Sequence, residues 1–202
     1  DIYIHEDVLP IVNNIIDRTK ILRSIHTEGI LSDEPTSETI LEIDSRMSVG
    51  TIVINKIGKD IDHAAELLKS GQLIGIPTET VYGLAAHAFS EPALINVFKA
   101  KNRPYFDPLI VHVSSMERLH DIAEITDERL KALAQHFWPG PLTLLLPKKK
   151  NIPDLITSGL PRVGVRIPNH PMVLELLNKI DFPVAAPSAN PFGYISPTEA
   201  AH

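Results

Sequence analysis

Four short segments place chemically capable residues at the ends of apolar runs. In Pro77-Thr78-Glu79-Thr80-Val81-Tyr82-Gly83-Leu84, two hydroxyls, a carboxylate and a phenol stand together, and Gly83 lets a ligand approach the backbone. The same residue types also build an ordinary strand-connecting turn. Lys99-Ala100-Lys101-Asn102-Arg103-Pro104 closes a predicted helix, where bases already suit the helix dipole. In extended chain before Pro104, however, Lys101 and Arg103 would project to one side. An ammonium beside a forked guanidinium suits a polyphosphate. His112 interrupts the apolar run Leu109–Val113 and reads either as a hydrogen-bonded core residue or as a reactive one. In Ala185-Ala186-Pro187-Ser188-Ala189-Asn190-Pro191, small residues allow close approach and Ser188 and Asn190 share a side if extended; an ordinary Ser/Asn/Pro turn fits equally.

Several chemistries lack their residues. The chain has no GxxxxGK[ST] loop, no GxGxxG fingerprint, no GxSxG elbow and no HExxH pair. It has no cysteine, which excludes disulfides and thiolate zinc sites and fits a reducing cytoplasm. A dedicated protein metal cage is not expected. No apolar run approaches the ~20 residues of a bilayer span, and no secretory leader is read at the start. The net charge of −6 comes wholly from residues 1–50, which hold ten acids and four bases. The balanced remainder, with aromatic residues at 5 % of the chain, argues against a long nucleic-acid-binding face or base stacking.

These segments need a frame, and periodicity supplies one. The spacing predicts an amphipathic helix over 6–26, a polar loop from Thr27 to Ser37, a short element at Thr39–Ile43 and a strand at Thr51–Asn55. The charge shift puts a domain boundary near Arg46, leaving a mainly helical segment of unassigned role at 1–46 and a domain at 47–202. Beyond it, strands are expected at Gln72–Ile76, Val81–Ala86, Leu109–Val113, Leu142–Leu146, Val163–Ile167 and Val184–Ala186. Helices are expected from the Asp60 cap to Lys69, from the Ser90 cap to Lys101, from Thr126 to about Trp138, and over Pro171–Asn178. This alternation predicts an α/β (α+β) open sheet. Fifteen of the 17 prolines lie from Pro77 onward, and Pro77, Pro104 and Pro187 border the reactive segments. Proline fixes its own backbone and biases its predecessor, so these sites are expected to be stiff.

In order and wording, PTETVYGLAAHAF, KNRPYFDPLIVHV, FWPGPLTLLLP, VGVRIPNHP and APSANPFGYISPT closely resemble the YrdC/Sua5 family, over about Thr51 to His202. The resemblance implies a twisted open mixed sheet with flanking helices and a concave cleft. It implies synthesis of threonylcarbamoyl-AMP and pyrophosphate from L-threonine, bicarbonate and ATP with Mg²⁺, for tRNA t6A modification. Carried over by position, Thr80, His112, Arg166 and backbone groups of Ala186 would bind threonine. Lys101 and Arg103 would neutralise the ATP phosphates as catalytic cations, and Asp107, Ser188, Asn190 and Ser196 would complete the ATP site. Partners implied are the three substrates and, beyond them, tRNA or proteins of the t6A machinery, with no membrane. Family domains continue past the SPT segment, so this domain is expected to lack its C-terminal part. A second reading is an RNA-binding or translation-associated module without synthase activity, and a third is a carbamoyl-adenylate domain of hydrogenase maturation. The absence of zinc-finger cysteines disfavours the third.

Overall fold

The computed structural model describes the backbone of residues 2–3 and all of residues 57–200. The predicted elements at 6–26, Thr27–Ser37, Thr39–Ile43 and Thr51–Asn55, and the boundary near Arg46, lie outside the described residues. No described helix is long and apolar enough to cross a membrane.

The described strands are β1 (Ile2–Tyr3), β2 (Ile57–Gly58), β3 (Ile74–Ile76), β4 (Gly83–His87), β5 (Ile110–His112), β6 (Leu144–Pro147), β7 (Arg162–Arg166) and β8 (Val184–Ala185). They form one sheet in the order β2-β1-β3-β4-β8-β5-β7-β6. β5 and β7 run parallel, while β4 and β5 each pair antiparallel with β8. The sheet is therefore open and mixed, as the alternating pattern and the resemblance both implied.

Six helices are described: α1 (Ile61–Lys69), α2 (Glu91–Lys101), α3 (Met116–Leu119), α4 (Glu128–Phe137), α5 (Asp154–Thr157) and α6 (Pro171–Lys179). They cover both faces of the sheet. On β4, Leu84 and Ala86 enter a core with Leu94, Val97 and Phe98 of α2, whereas Ala85 packs with Leu68 of α1 and Leu176 of α6. At β3, β4 and β8 both faces are buried, so these strands read as apolar runs, whereas edge strand β6 alternates buried and exposed residues.

Local chemistry explains the element ends. The Asp60 carboxylate accepts from the His63 amide at 3.0 Å and starts α1. Ser90 accepts from the Ala93 amide and starts α2. α4 begins two residues later than expected because Asp127, not Thr126, caps it, accepting from the Arg129 amide at 2.8 Å. The single-turn helices α3 and α5 escape the sequence reading, since four residues carry no period. β4 starts at Gly83 instead of Val81, because residues 78–81 form a side-chain-bonded turn.

Leu84 has no exposed surface at the centre of the sheet, so Leu84→Ala is expected to lower stability by about 2–5 kcal/mol. Asp60→Ala, which removes a cap, should cost about 1 kcal/mol. Urea unfolding followed by circular dichroism checks both values and their order.

Candidate functional site

The turn before β4 is organised by one hydroxyl. Thr78 Oγ1 donates to the Val81 carbonyl at 2.6 Å, accepts from the Thr80 and Val81 amides, and shares a 2.9 Å bond with Thr80 Oγ1. Thr80 is thus held at a set angle at the mouth of the sheet. β4 then meets the segment after β8: the Leu84 amide donates to the Pro187 carbonyl, and the Ala189 amide to the Tyr82 carbonyl, both at 2.8 Å. A Cβ on Gly83 would lie 3.3 Å from Ala186 Cβ and 3.4 Å from the Pro187 oxygen. Glycine therefore permits the close approach that brings the 186–188 backbone to the site.

The parallel register of β5 and β7 makes His112 and Arg166 direct neighbours. Arg166 is 8 % exposed. Its Nε and Nη2 donate to Glu79 Oε1 at 3.2 and 2.6 Å, Nε also to the Gly140 carbonyl, and Nη2 also to Thr80 Oγ1. The Nε–Nη2 fork is already occupied, which leaves the Nη1 donors for any further acceptor. Glu79 keeps a second oxygen, Oε2, buried and without a partner. His112 is 2 % exposed, and both of its ring nitrogens are buried without a partner. Burial first, and the Arg166 charge second, press its pKa down to about 3, so the ring is neutral.

The two cations of the helix-end segment converge, though not by the expected route. α2 includes Lys101, and Asn102 turns the chain left-handed at φ 49°. This turn, and not an extended run, brings Arg103 near Lys101. Arg103 is held by the Asp107 and Pro108 carbonyls and by an ion pair to Asp107 Oδ2 at 2.9 Å, with its guanidinium 5.8 Å from the Phe192 ring centre. Burial lowers the Arg103 pKa, and Asp107 works against that shift. Lys101 is 1 % exposed and donates to the Ser188 and Asn190 carbonyls. Burial, then the Arg103 charge, lower its pKa to about 8, with Asp107 opposing.

A cleft of about 260 Å³ gathers Thr80, Arg103, His112, Arg166, Ala186 and Ser188 on its walls. Four other expected site residues do not line it. Lys101 is turned into the 188–190 loop, and Asp107 is tied to Arg103. Asn190 donates to the Pro191 and Tyr194 carbonyls and accepts from Ser196 Oγ at 3.2 Å, so Asn190 and Ser196 brace the 190–196 segment. Thr78 and Glu79 were visible as a hydroxyl and a carboxylate in the first segment, yet their roles were missed. Arg166 and Glu79 lie 87 residues apart, so nothing local in the sequence paired them; only the general need of a buried arginine for an acid partner applies.

Residues 66–202 match the Sua5–YciO–YrdC family model, described as "Telomere recombination". The threonylcarbamoyl-AMP synthase of Pyrococcus abyssi is 49 % identical over 139 residues, covering 69 % of this chain and 41 % of that protein. The Bacillus subtilis protein of the same name is 44 % identical over 143 residues, covering 70 % and 41 %. The crystal structure of P. abyssi Sua5 complexed with L-threonine superposes with a TM-score of 0.70 at 47 % identity, over 75 % of this chain and 46 % of that one. The chain thus spans about two fifths of the length of these curated relatives.

Glu79→Ala strands a buried guanidinium and is expected to cost about 3–5 kcal/mol, measured by chemical unfolding. His112 gives a pH signature. Its folded-state pKa lies below the ordinary 6.5, so the unfolded chain binds the extra proton and stability is lost as pH falls from about 6.5 toward 3. Relative to His112→Gln, the protein should lose up to about 1.4 kcal/mol per pH unit in that window. Parallel pH-dependence of the two unfolding curves would contradict this.

Proposed function

The chain belongs to the Sua5–YciO–YrdC family, and from that membership we propose that it carries the adenylate-forming site of a threonylcarbamoyl-AMP synthase. In this reading the substrates are L-threonine, bicarbonate and Mg·ATP. The products are threonylcarbamoyl-AMP and pyrophosphate, and the adenylate serves t6A modification of tRNA in the cytoplasm. The relatives' name and the L-threonine complex of a family member support it. The observation that carries it is that one cleft gathers Arg166, Thr80 and His112 together with Arg103 and Ser188. In this reading the first three grip the amino acid and the last two the phosphates. At about 260 Å³ the cleft is below the ~300 Å³ where drug-sized pockets begin. That suits an amino acid with a phosphate group, the nucleoside reaching past the rim.

The residues divide the work by charge. Arg166 offers its Nη1 donors to the threonine carboxylate. Neutral His112 presents one donor and one acceptor nitrogen, and so adds no charge beside the substrate amine. That amine, as the free base, attacks bicarbonate; water leaves and a carbamate forms. A carbamate oxygen then attacks the α-phosphorus and pyrophosphate departs. Arg103 faces the negative charge that gathers on phosphate oxygens during this displacement. Its Nε and Nη2 are taken by the 107–108 carbonyls and the Asp107 carboxylate, so the nucleotide phosphate meets Nη1 and shares this guanidinium with a resident anion. Among the described residues no cluster of three histidine or acidic side chains could hold a metal. In this reading magnesium enters with the nucleotide substrate, carried by its phosphates and water.

The test is pyrophosphate release from Mg·ATP, dependent on both L-threonine and bicarbonate. Arg103→Ala should weaken ATP binding, and Arg166→Ala threonine binding, each by about 1–3 kcal/mol in calorimetry. Release that ignores threonine, or a chain that binds neither ATP nor L-threonine, would overturn the proposal.

A further inference from the structure

Lys101 is a cation in a place where a phosphate ligand would be poorly served. Its side chain is 1 % exposed and is absent from the cleft wall that Arg103 and Ser188 share. Two of its three N–H donors are taken by the Ser188 and Asn190 carbonyls. The tie runs both ways, because the Phe192 amide donates to the Lys101 carbonyl at 2.8 Å. Between these points the Ala189 amide donates across to Tyr82, fastening the same loop to the approach of β4. Without Lys101 the Ser188 and Asn190 carbonyls would lose a charged donor in a part-buried place, where unmade hydrogen bonds are costly.

We propose that Lys101 is a positioning residue: it fixes the 188–190 loop so that Ser188 faces the cleft, and does not itself bind phosphate. The inference concerns the site described above, and its nucleotide arm rests on the function proposed there. The expectation from spacing was different, two cations side by side on the ligand. Instead, one cation of the pair faces the cleft and the other holds the loop that completes it. An ammonium suits the second task because its compact head can meet two carbonyls of one turn.

Three measurements on the full chain decide the matter. The first needs no mutation: brief acetylation of the native protein, read by mass spectrometry. Lys101 should label at least about tenfold more slowly than exposed Lys99, with or without Mg·ATP. Labelling of Lys101 as fast as Lys99, with protection by Mg·ATP, would overturn the proposal. The second is amide exchange in Lys101→Met. The Ala189 and Phe192 amides should exchange about tenfold or more faster than in the wild type, while the β7 amides hold. Unchanged protection there also overturns it. The third separates positioning from a merely structural role. ATP affinity should fall in Lys101→Met, and adding Ser188→Ala should cause no further loss, whereas additive losses point to direct phosphate contact and reject the proposal. If the wild-type chain binds no ATP, the function proposed above fails, while labelling and exchange still judge Lys101.

Discussion

A charged side chain withdrawn from water must be met by acceptors that other elements hold in place, and this constraint organises the whole cleft. Arg166 is the clearest instance. Its guanidinium closes β7, and its acceptors come from the turn before β4 and from Gly140 ahead of β6. Three separate stretches of chain are therefore brought to one point by a single buried cation. The hydrophobic cores on the two faces hold the sheet together without specifying which strand ends must meet. The charge supplies that specification, because a misplaced Glu79 or Gly140 would leave it uncompensated.

The pairing of cations with preplaced acids also sets the state of the cleft before any ligand enters. Arg166 leans on Glu79 and Arg103 on Asp107, so two of the three basic groups are partly neutralised. This permits Arg103, Arg166 and Lys101 to lie in one small region without driving it apart. It also means that ligand anions share these cations with resident carboxylates, which favours selectivity over raw affinity. His112, kept neutral beside Arg166, adds hydrogen-bonding capacity without adding to that charge.

Much of the frame was legible in the sequence because its signals are local. Asp60 and Ser90 cap the helices they were expected to cap, and the apolar runs at 74–76, 110–112 and 162–166 became strands. Six of the ten expected site residues line one cleft, because five sit at the end of a strand or in a segment next to one and Arg103 sits just past the end of α2. The failures have a common cause. The pairing of Glu79 with Arg166 spans 87 residues, and Lys101 meets carbonyls 87 and 89 residues away. Spacing along the chain carries no trace of such contacts, and a side chain bonded to distant backbone looks no different from one facing solvent. The prolines were read as stiffeners near the site. Pro187 and Pro197 have a further part, since their carbonyls accept from the Leu84 and Tyr82 amides at the cleft rim.

The place of β8 in the sheet has a consequence for how the molecule comes to exist. Val184–Ala185 is the last described strand in the chain, yet it sits between β4 and β5 and pairs with both. Until it emerges from the ribosome, β4 on one side and the β5-β7-β6 group on the other share a hydrophobic core but have no strand to hydrogen-bond them into one sheet. The sheet assembles as two halves with open edges, and the closing strand is a two-residue wedge added late. Such non-local closure is slow and leaves strand edges unpaired while it waits. The nascent chain is therefore most prone to self-association just before its centre is filled, and the loop that completes the cleft follows in the same step.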